Sequence, residues 1–147
     1  MDYRFKLEAL RKYRKFQEET LQKELAEAQR LRDREADILT ELIDLQNKTE
    51  NDLEIKQKES ASGPCLAIYS NYLNTLASDI FAQKHKLADA EKQLEKRRKV
   101  LLAAMQKRKT LDKLKEKGLK AHLESLNSED EKFINEMAIS RFSIKQR

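Results

Sequence analysis

The chain has 147 residues, of which 39 % are charged, with two Gly, one Pro and no Trp. So polar a composition leaves too few large apolar residues for a compact core, and a chain without one has no cleft for an enzyme's chemistry. The formal net charge of +5 keeps acidic partners open: nucleic acid, an anionic membrane surface or a protein with an acidic socket.

The length suggests one domain, spanning 1–147. The first sixteen residues carry Tyr3, Phe5, Leu7, Leu10, Tyr13 and Phe16, more apolar bulk than one helix seam uses. A helical pattern is predicted from about residue 3 to 59. The stretch Ser60-Ala61-Ser62-Gly63-Pro64 then punctuates the chain. Gly accepts positive φ and Pro cannot donate the backbone bond of a continuing helix, so residues 60–65 read as a turn.

A second helix is predicted over about 66–124. Its apolar residues return every seventh position: Leu73, Ile80, Leu87, Leu94 and Leu101. A second row follows at Leu76, Ala90, Ala104 and Leu111. That a/d seam runs over about five heptads, the spacing that holds one helix face against a partner helix. Disorder does not explain such a period. A short connection makes the two arms antiparallel neighbours, each roughly 80 Å long.

Folding the chain so that facing positions add to 125 sets Leu45 on Ile80, Ile38 on Leu87, Leu31 on Leu94 and Thr49 on Leu76, with Leu53 near Tyr72. Glu24, Arg32, Glu35, Gln83 and Arg97 interrupt the seam. Polar seam residues fix register at some cost in stability. Past Leu123 the pattern changes. Ser128 followed three residues later by Glu131 has the form of a capping box. A break near 125–128 is therefore expected, followed by a short helix over about 128–142 carrying Phe133, Ile134, Met137, Ala138 and Phe142. The predicted fold class is all-α: a long antiparallel two-helix coiled-coil hairpin with a short C-terminal helical tail.

Charge is segregated along the chain. Residues 96–120 hold eleven Lys or Arg against two acids. Residues 1–20 hold six bases against four acids, and residues 21–60 hold seven against eleven. The expected rod has a basic open end and a mildly acidic hairpin end. Charge runs on a coiled coil are commonly solvated faces, yet asymmetry of this kind also steers acidic partners. No zinc-finger spacing, basic-zipper order or aromatic platform for nucleic acid accompanies it.

No catalytic, cofactor-binding or metal-binding residues are expected. His85 and His122 are far apart and lack neighbours at ligand spacing. Cys65 stands alone beside Pro64, which excludes an internal disulfide and fits a reducing compartment. There is no Gly-rich phosphate loop and no nucleophile elbow. No apolar run reaches the roughly 20 residues of a membrane span, and no apolar leader opens the chain. A cytoplasmic location is expected.

The two ends carry a family resemblance. Tyr3-Arg4-Phe5-Lys6-Leu7-Glu8-Ala9-Leu10-Arg11-Lys12-Tyr13-Arg14 resembles the opening of the bacterial flagellar export chaperone family FliJ, with its F-x-L-x-x-L stretch amid basic residues. Leu42-Ile43-Asp44-Leu45-Gln46-Asn47 before the turn and Tyr69-Ser70-Asn71-Tyr72-Leu73-Asn74-Thr75-Leu76 after it are similar to family stretches at the same places. Glu136-Met137-Ala138-Ile139-Ser140-Arg141-Phe142 resembles the family's acidic, then Arg-Phe, ending.

The resemblance implies a non-enzymatic, cofactor-free component of the flagellar type III export apparatus. Such proteins form an antiparallel coiled coil like the central stalk of rotary ATPases. They couple the export ATPase (FliI-like) to the cytoplasmic domain of the export gate (FlhA-like) and assist export chaperones, peripherally at the cytoplasmic face of the inner membrane.

The family's gate-binding patch maps onto Ile38, Leu42, Leu45, Thr49, Tyr72, Leu76, Asp79 and Gln83. Family aromatics match Leu45 and Thr49 here, and a family His matches Gln83. Leu42, Leu45 and Leu76 are equally candidates for seam packing, whereas the aromatic Tyr72 is the better anchor. By the stalk analogy the ATPase ring receives the basic end: Arg97, Arg98, Lys107, Arg108, Lys109, Lys113 and Lys115, with apolar contacts from Phe5, Leu7 and Leu10. Nucleic acid is not the favoured partner. A stalk of a virulence-type secretion system, a basic coiled coil on nucleic acid or a membrane surface, and a plain structural spacer remain as alternatives.

Overall fold

The structure, a computed structural model, describes residues 2–145. Two long helices make up almost all of them: α1, Glu8–Lys58, and α2, Gly63–Lys145. Gly and Pro are absent between Asp2 and Ser62, so nothing in α1 removes a backbone donor or loosens the chain.

Helix α1 opens where the Leu7 carbonyl accepts the first i→i−4 bond, from the Arg11 N–H at 2.9 Å. Glu8 sits in its first turn and Lys56 and Lys58 in its last. Both placements suit the partial charges of the helix ends. The helix closes in a Schellman arrangement: the Ala61 N–H reaches the Lys56 carbonyl at 3.1 Å, and the Ser60 N–H reaches Gln57 at 3.2 Å.

Such a cap requires a left-handed residue, and Ser60 provides it with φ of 56°. The turn was expected to draw on Gly63 for that freedom. Gly63 instead opens α2, with Ser62 as its N-cap: the Ser62 hydroxyl accepts the Cys65 N–H at 3.3 Å. Pro64 lies in the first turn, where a missing N–H costs nothing.

The expected break at 125–128 is absent. Helix α2 runs through Ser125–Ser128 without interruption, so residues 128–142 are its continuation rather than a separate helix. No Gly or Pro follows Gly118. A capping box acts only where the chain enters a helix, and here Leu123 to Asn127 are already helical.

The chain divides into two compact units: a hairpin unit, Thr20–Leu102, and a terminal unit of the residues up to Glu19 with those from Ala103 on. In the hairpin unit Leu76, Ile80, Ala90 and Leu94 of α2 are buried, Leu76 at 2 % exposure. In the terminal unit Ala104 and Leu111 continue the same heptad rows. Burying one Leu side chain contributes about 1.5–3 kcal/mol, so this thin row is the main apolar support of the hairpin unit.

The expected partner row on α1 needs correction. Leu31, Ile38 and Leu45 remain 41, 42 and 38 % exposed. The inward stripe is instead Leu25, Glu35, Leu39, Leu42, Thr49 and Leu53. Cross-helix pairs in the hairpin unit, Arg97–Glu24, Arg32–Glu91 and Gln83–Glu35, add to 121, 123 and 118 rather than 125. The polar interruptions of the seam explain the shift, because they bond to carboxyl and carbonyl groups of the facing helix. In the terminal unit Tyr3 lies against His122, ring centroids 5.7 Å apart, at the expected sum.

Candidate partner-binding surfaces

In the hairpin unit, the eight residues mapped to the gate patch separate into two groups. Tyr72, Ile38, Leu45 and Asp79 face outward and Leu42 is half-buried. Leu76, Thr49 and Gln83 are buried. Thr49 satisfies its hydroxyl on the Leu45 carbonyl at 2.7 Å. The Gln83 amide donates to the Glu35 carbonyl at 3.0 Å and to the Glu35 carboxylate. A buried amide with both donors satisfied orders the seam and offers little to a partner. The outward set is thus one aromatic, two aliphatics and a carboxylate.

Arg97 and Arg98, assigned to the basic surface, also belong to the hairpin unit. Arg97 pairs with Glu24 at 3.0 Å and Arg98 with Glu95 at 3.8 Å. Both are exposed pairs of the kind that contributes little to stability.

The terminal unit holds the rest of the basic surface, and there the structure separates charges that the sequence presents alike. Arg108 is half-buried and turned inward. It forms ion pairs with Glu18 and, at 2.7 Å, with Asp112. Arg11 bonds the other oxygen of Asp112 at 2.7 Å and Glu8 at 3.1 Å. Lys115 closes on the second Glu8 oxygen at 3.1 Å. The result is one chain of alternating charge: Lys115, Glu8, Arg11, Asp112, Arg108, Glu18. It contains as many carboxylates as cations, so it adds no net charge.

The Lys115 ammonium holds the Glu8 carboxyl below its ordinary value, and the Arg11 guanidinium does the same for Asp112. In return Asp112 raises Arg11, and Glu18 raises Arg108. Glu18 is 6 % exposed. Its partner lies ninety residues along the chain, and no local pattern marks such a pair.

Lys107, Lys109 and Lys113 are exposed and form no ion pair among the described residues. With Lys117 and Lys120, also exposed, Lys109 and Lys113 repeat at i, i+4, i+8 and i+11. They therefore form a ridge on the side of α2 turned away from Leu111. Leu7 and Leu10 are exposed and Phe5 is half-buried. Tyr3 fills the space above Gly118 so closely that a Cβ there would collide with its hydroxyl. That packing fixes the segment leading to Leu7.

No cluster of His, Cys, Asp and Glu among the described residues could hold a metal ion. Among the same residues no helix is long and apolar enough to cross a membrane. The described residues define a long two-helix protein with exposed charged ridges and outward aromatics. More specifically, the chain belongs to the flagellar FliJ protein family, whose family model matches residues 3–147. That family is a non-enzymatic component of the flagellar export apparatus. No curated protein and no solved structure gives a match.

Proposed function

We propose that this chain is an adaptor of the flagellar type III export apparatus, coupling the export ATPase to the export gate and assisting export chaperones. The observation that carries this reading is the family match over residues 3–147. In this reading the two helices form an antiparallel coiled coil, in keeping with the descending order of the cross-helix pairs within each unit. The protein acts at the cytoplasmic face of the inner membrane, held there by its partners.

The terminal unit meets the ATPase through Lys109, Lys113 and Lys117, with Phe5, Leu7 and Leu10 adding apolar contact. The hairpin unit meets the gate through Tyr72, with Ile38, Leu45 and Asp79 around it. The test reverses Lys109, Lys113 and Lys117 to Glu and measures ATP turnover by the partner ATPase. Stimulation is abolished while gate binding is kept, because these side chains are exposed and serve no internal pair. Tyr72→Ala does the opposite, weakening gate binding with an unchanged thermal melt. If the lysine reversal stimulates like the wild type but no longer retards DNA on a gel, the basic ridge serves nucleic acid and the adaptor reading fails. Binding to phosphates would also fall log-linearly with salt, more steeply than docking that includes apolar contacts.

A further inference from the structure

From Leu126 on, α2 carries a second stripe, one residue out of phase with the upstream rows and without a cover. Phe133 and Met137 share one face there and are exposed; Ile134, Ile139 and Phe142 are also exposed but lie on other sides of the helix. Leu126, Phe133 and Met137 fall on one stripe at heptad steps, with Asp130 between them and Ser140 after them. This is a seam of coiled-coil spacing that lacks its second helix.

We propose that residues 126–145 of α2 pair with the same segment of a second copy, antiparallel, about a two-fold axis near Asn135. The spacing of the stripe is symmetric about that point. Phe133 of each copy meets Met137 of the other, and Asp130 falls level with Ser140. The charges are antisymmetric about it. Residues 124–136 carry five acids and one base, and residues 137–147 carry three bases and no acid.

An antiparallel pair therefore sets the acidic half of each copy on the basic half of the other. A parallel pair sets like on like. Helical geometry places Asp130 and Arg141 on the same flank of the stripe, so the two form a cross-copy ion pair twice. Neither makes an ion pair among the described residues. A socket of single charge would complement only one half of the segment. A second copy complements both.

The test is sedimentation equilibrium of the full chain from about 1 µM to about 500 µM, a range that brackets a weak helix pair. A reversible monomer–dimer equilibrium is expected. Met137→Glu puts a carboxylate into two apolar layers and weakens association about a hundredfold. The monomer's helicity and melt stay unchanged, since Met137 is exposed in the single chain. Asp130→Arg and Arg141→Asp each weaken association, and combining them in one chain restores it. Only an antiparallel pairing gives that rescue. A chain that stays monomeric over the range overturns the proposal, as does a dimer indifferent to Met137→Glu or a double variant without rescue. Should the monomeric chain lose an export partner through Met137→Glu, the stripe belongs to that partner instead.

Discussion

The two units use the same heptad spacing and fill it with different chemistry. In the hairpin unit the seam positions of α2 hold Leu76, Ile80, Ala90 and Leu94, interrupted by Gln83. In the terminal unit the same spacing reaches Arg108, Lys115 and Gly118, and among the described residues only Ala104 and Leu111 are buried and apolar. Ion pairs and a ring stacked over glycine take the place of aliphatic layers. Apolar layers are non-directional and tolerate small shifts of register. A chain of charge pairs satisfies its members in one register alone, and a mispaired charge is costly. The hairpin unit draws its stability from burial, whereas the terminal unit draws its alignment from charge.

The sharpest way to break this comparison is a charge in the apolar seam. Leu94→Asp deletes one of the few buried aliphatics and buries a carboxylate without a partner. It should cost about 4 kcal/mol or more, enough to unfold the hairpin unit. Loss of the cooperative circular-dichroism transition is the expected readout. Retention of the wild-type melt would mean that Leu94 does not support the unit.

The matching change in the terminal unit is Glu18→Ala. It leaves Arg108 half-buried with Asp112 alone. A loss of about 1–3 kcal/mol is expected, from a half-buried charge that has lost its main partner. Amide exchange should quicken in residues 8–18 and 104–118, with protection in the hairpin unit unchanged. Additive losses in Glu18→Ala, Asp112→Ala and their double variant would show that the charges act separately. A double loss smaller than the sum would confirm one network.

Acid separates the units again. Glu8 and Asp112 are both held below their ordinary values in the folded chain, first by Lys115 and first by Arg11 respectively. A carboxyl whose folded pKa lies below its unfolded pKa stabilises the fold above the unfolded value. That contribution fades as pH falls through the folded one. The terminal unit should therefore lose protection below the usual carboxylate range, ahead of the apolar layers of Leu76, Ile80 and Leu94. Both pairs are partly solvated, so salt should shrink the effect. Equal acid loss in the two units would contradict the division of roles.

The row Leu73–Ile80–Leu87–Leu94–Leu101 and the punctuation at 60–64 were legible because each is a local or strictly periodic signal. The facing row was less so. Leu31, Ile38 and Leu45 are as apolar as a seam requires, yet Glu35 and Thr49 take inward places because their polar atoms find partners there. That outcome depends on Gln83, forty-eight residues away, and on the Leu45 carbonyl one turn back. Ser128 misled for a related reason: a capping box records what a serine can do at a helix start, not that a helix starts there. Of the residues mapped to a gate patch by the resemblance, Tyr72 is exposed and Leu76, Thr49 and Gln83 are buried. Arg108 and Lys113 looked equivalent in the sequence, and only the position of Glu18 distinguishes an inward cation from an outward one.

The smallest effect, and the most discriminating, concerns Gly118. In an exposed helix interior Gly→Ala gains about 1 kcal/mol from propensity alone. Here the added methyl would meet the Tyr3 hydroxyl, and the ring against His122 would have to move. Gly118→Ala in the natural chain should therefore show little gain or a net loss, with residues 3–7 released from α2. In a Tyr3→Ala background the collision is gone, and the same substitution should stabilise by about 1 kcal/mol. The sign change between backgrounds reads the Tyr3–Gly118 contact directly, and thermal melts of the four chains measure it. If Gly118→Ala stabilises both backgrounds equally, Tyr3 does not pack over the glycine, and the terminal unit is held by its charges alone.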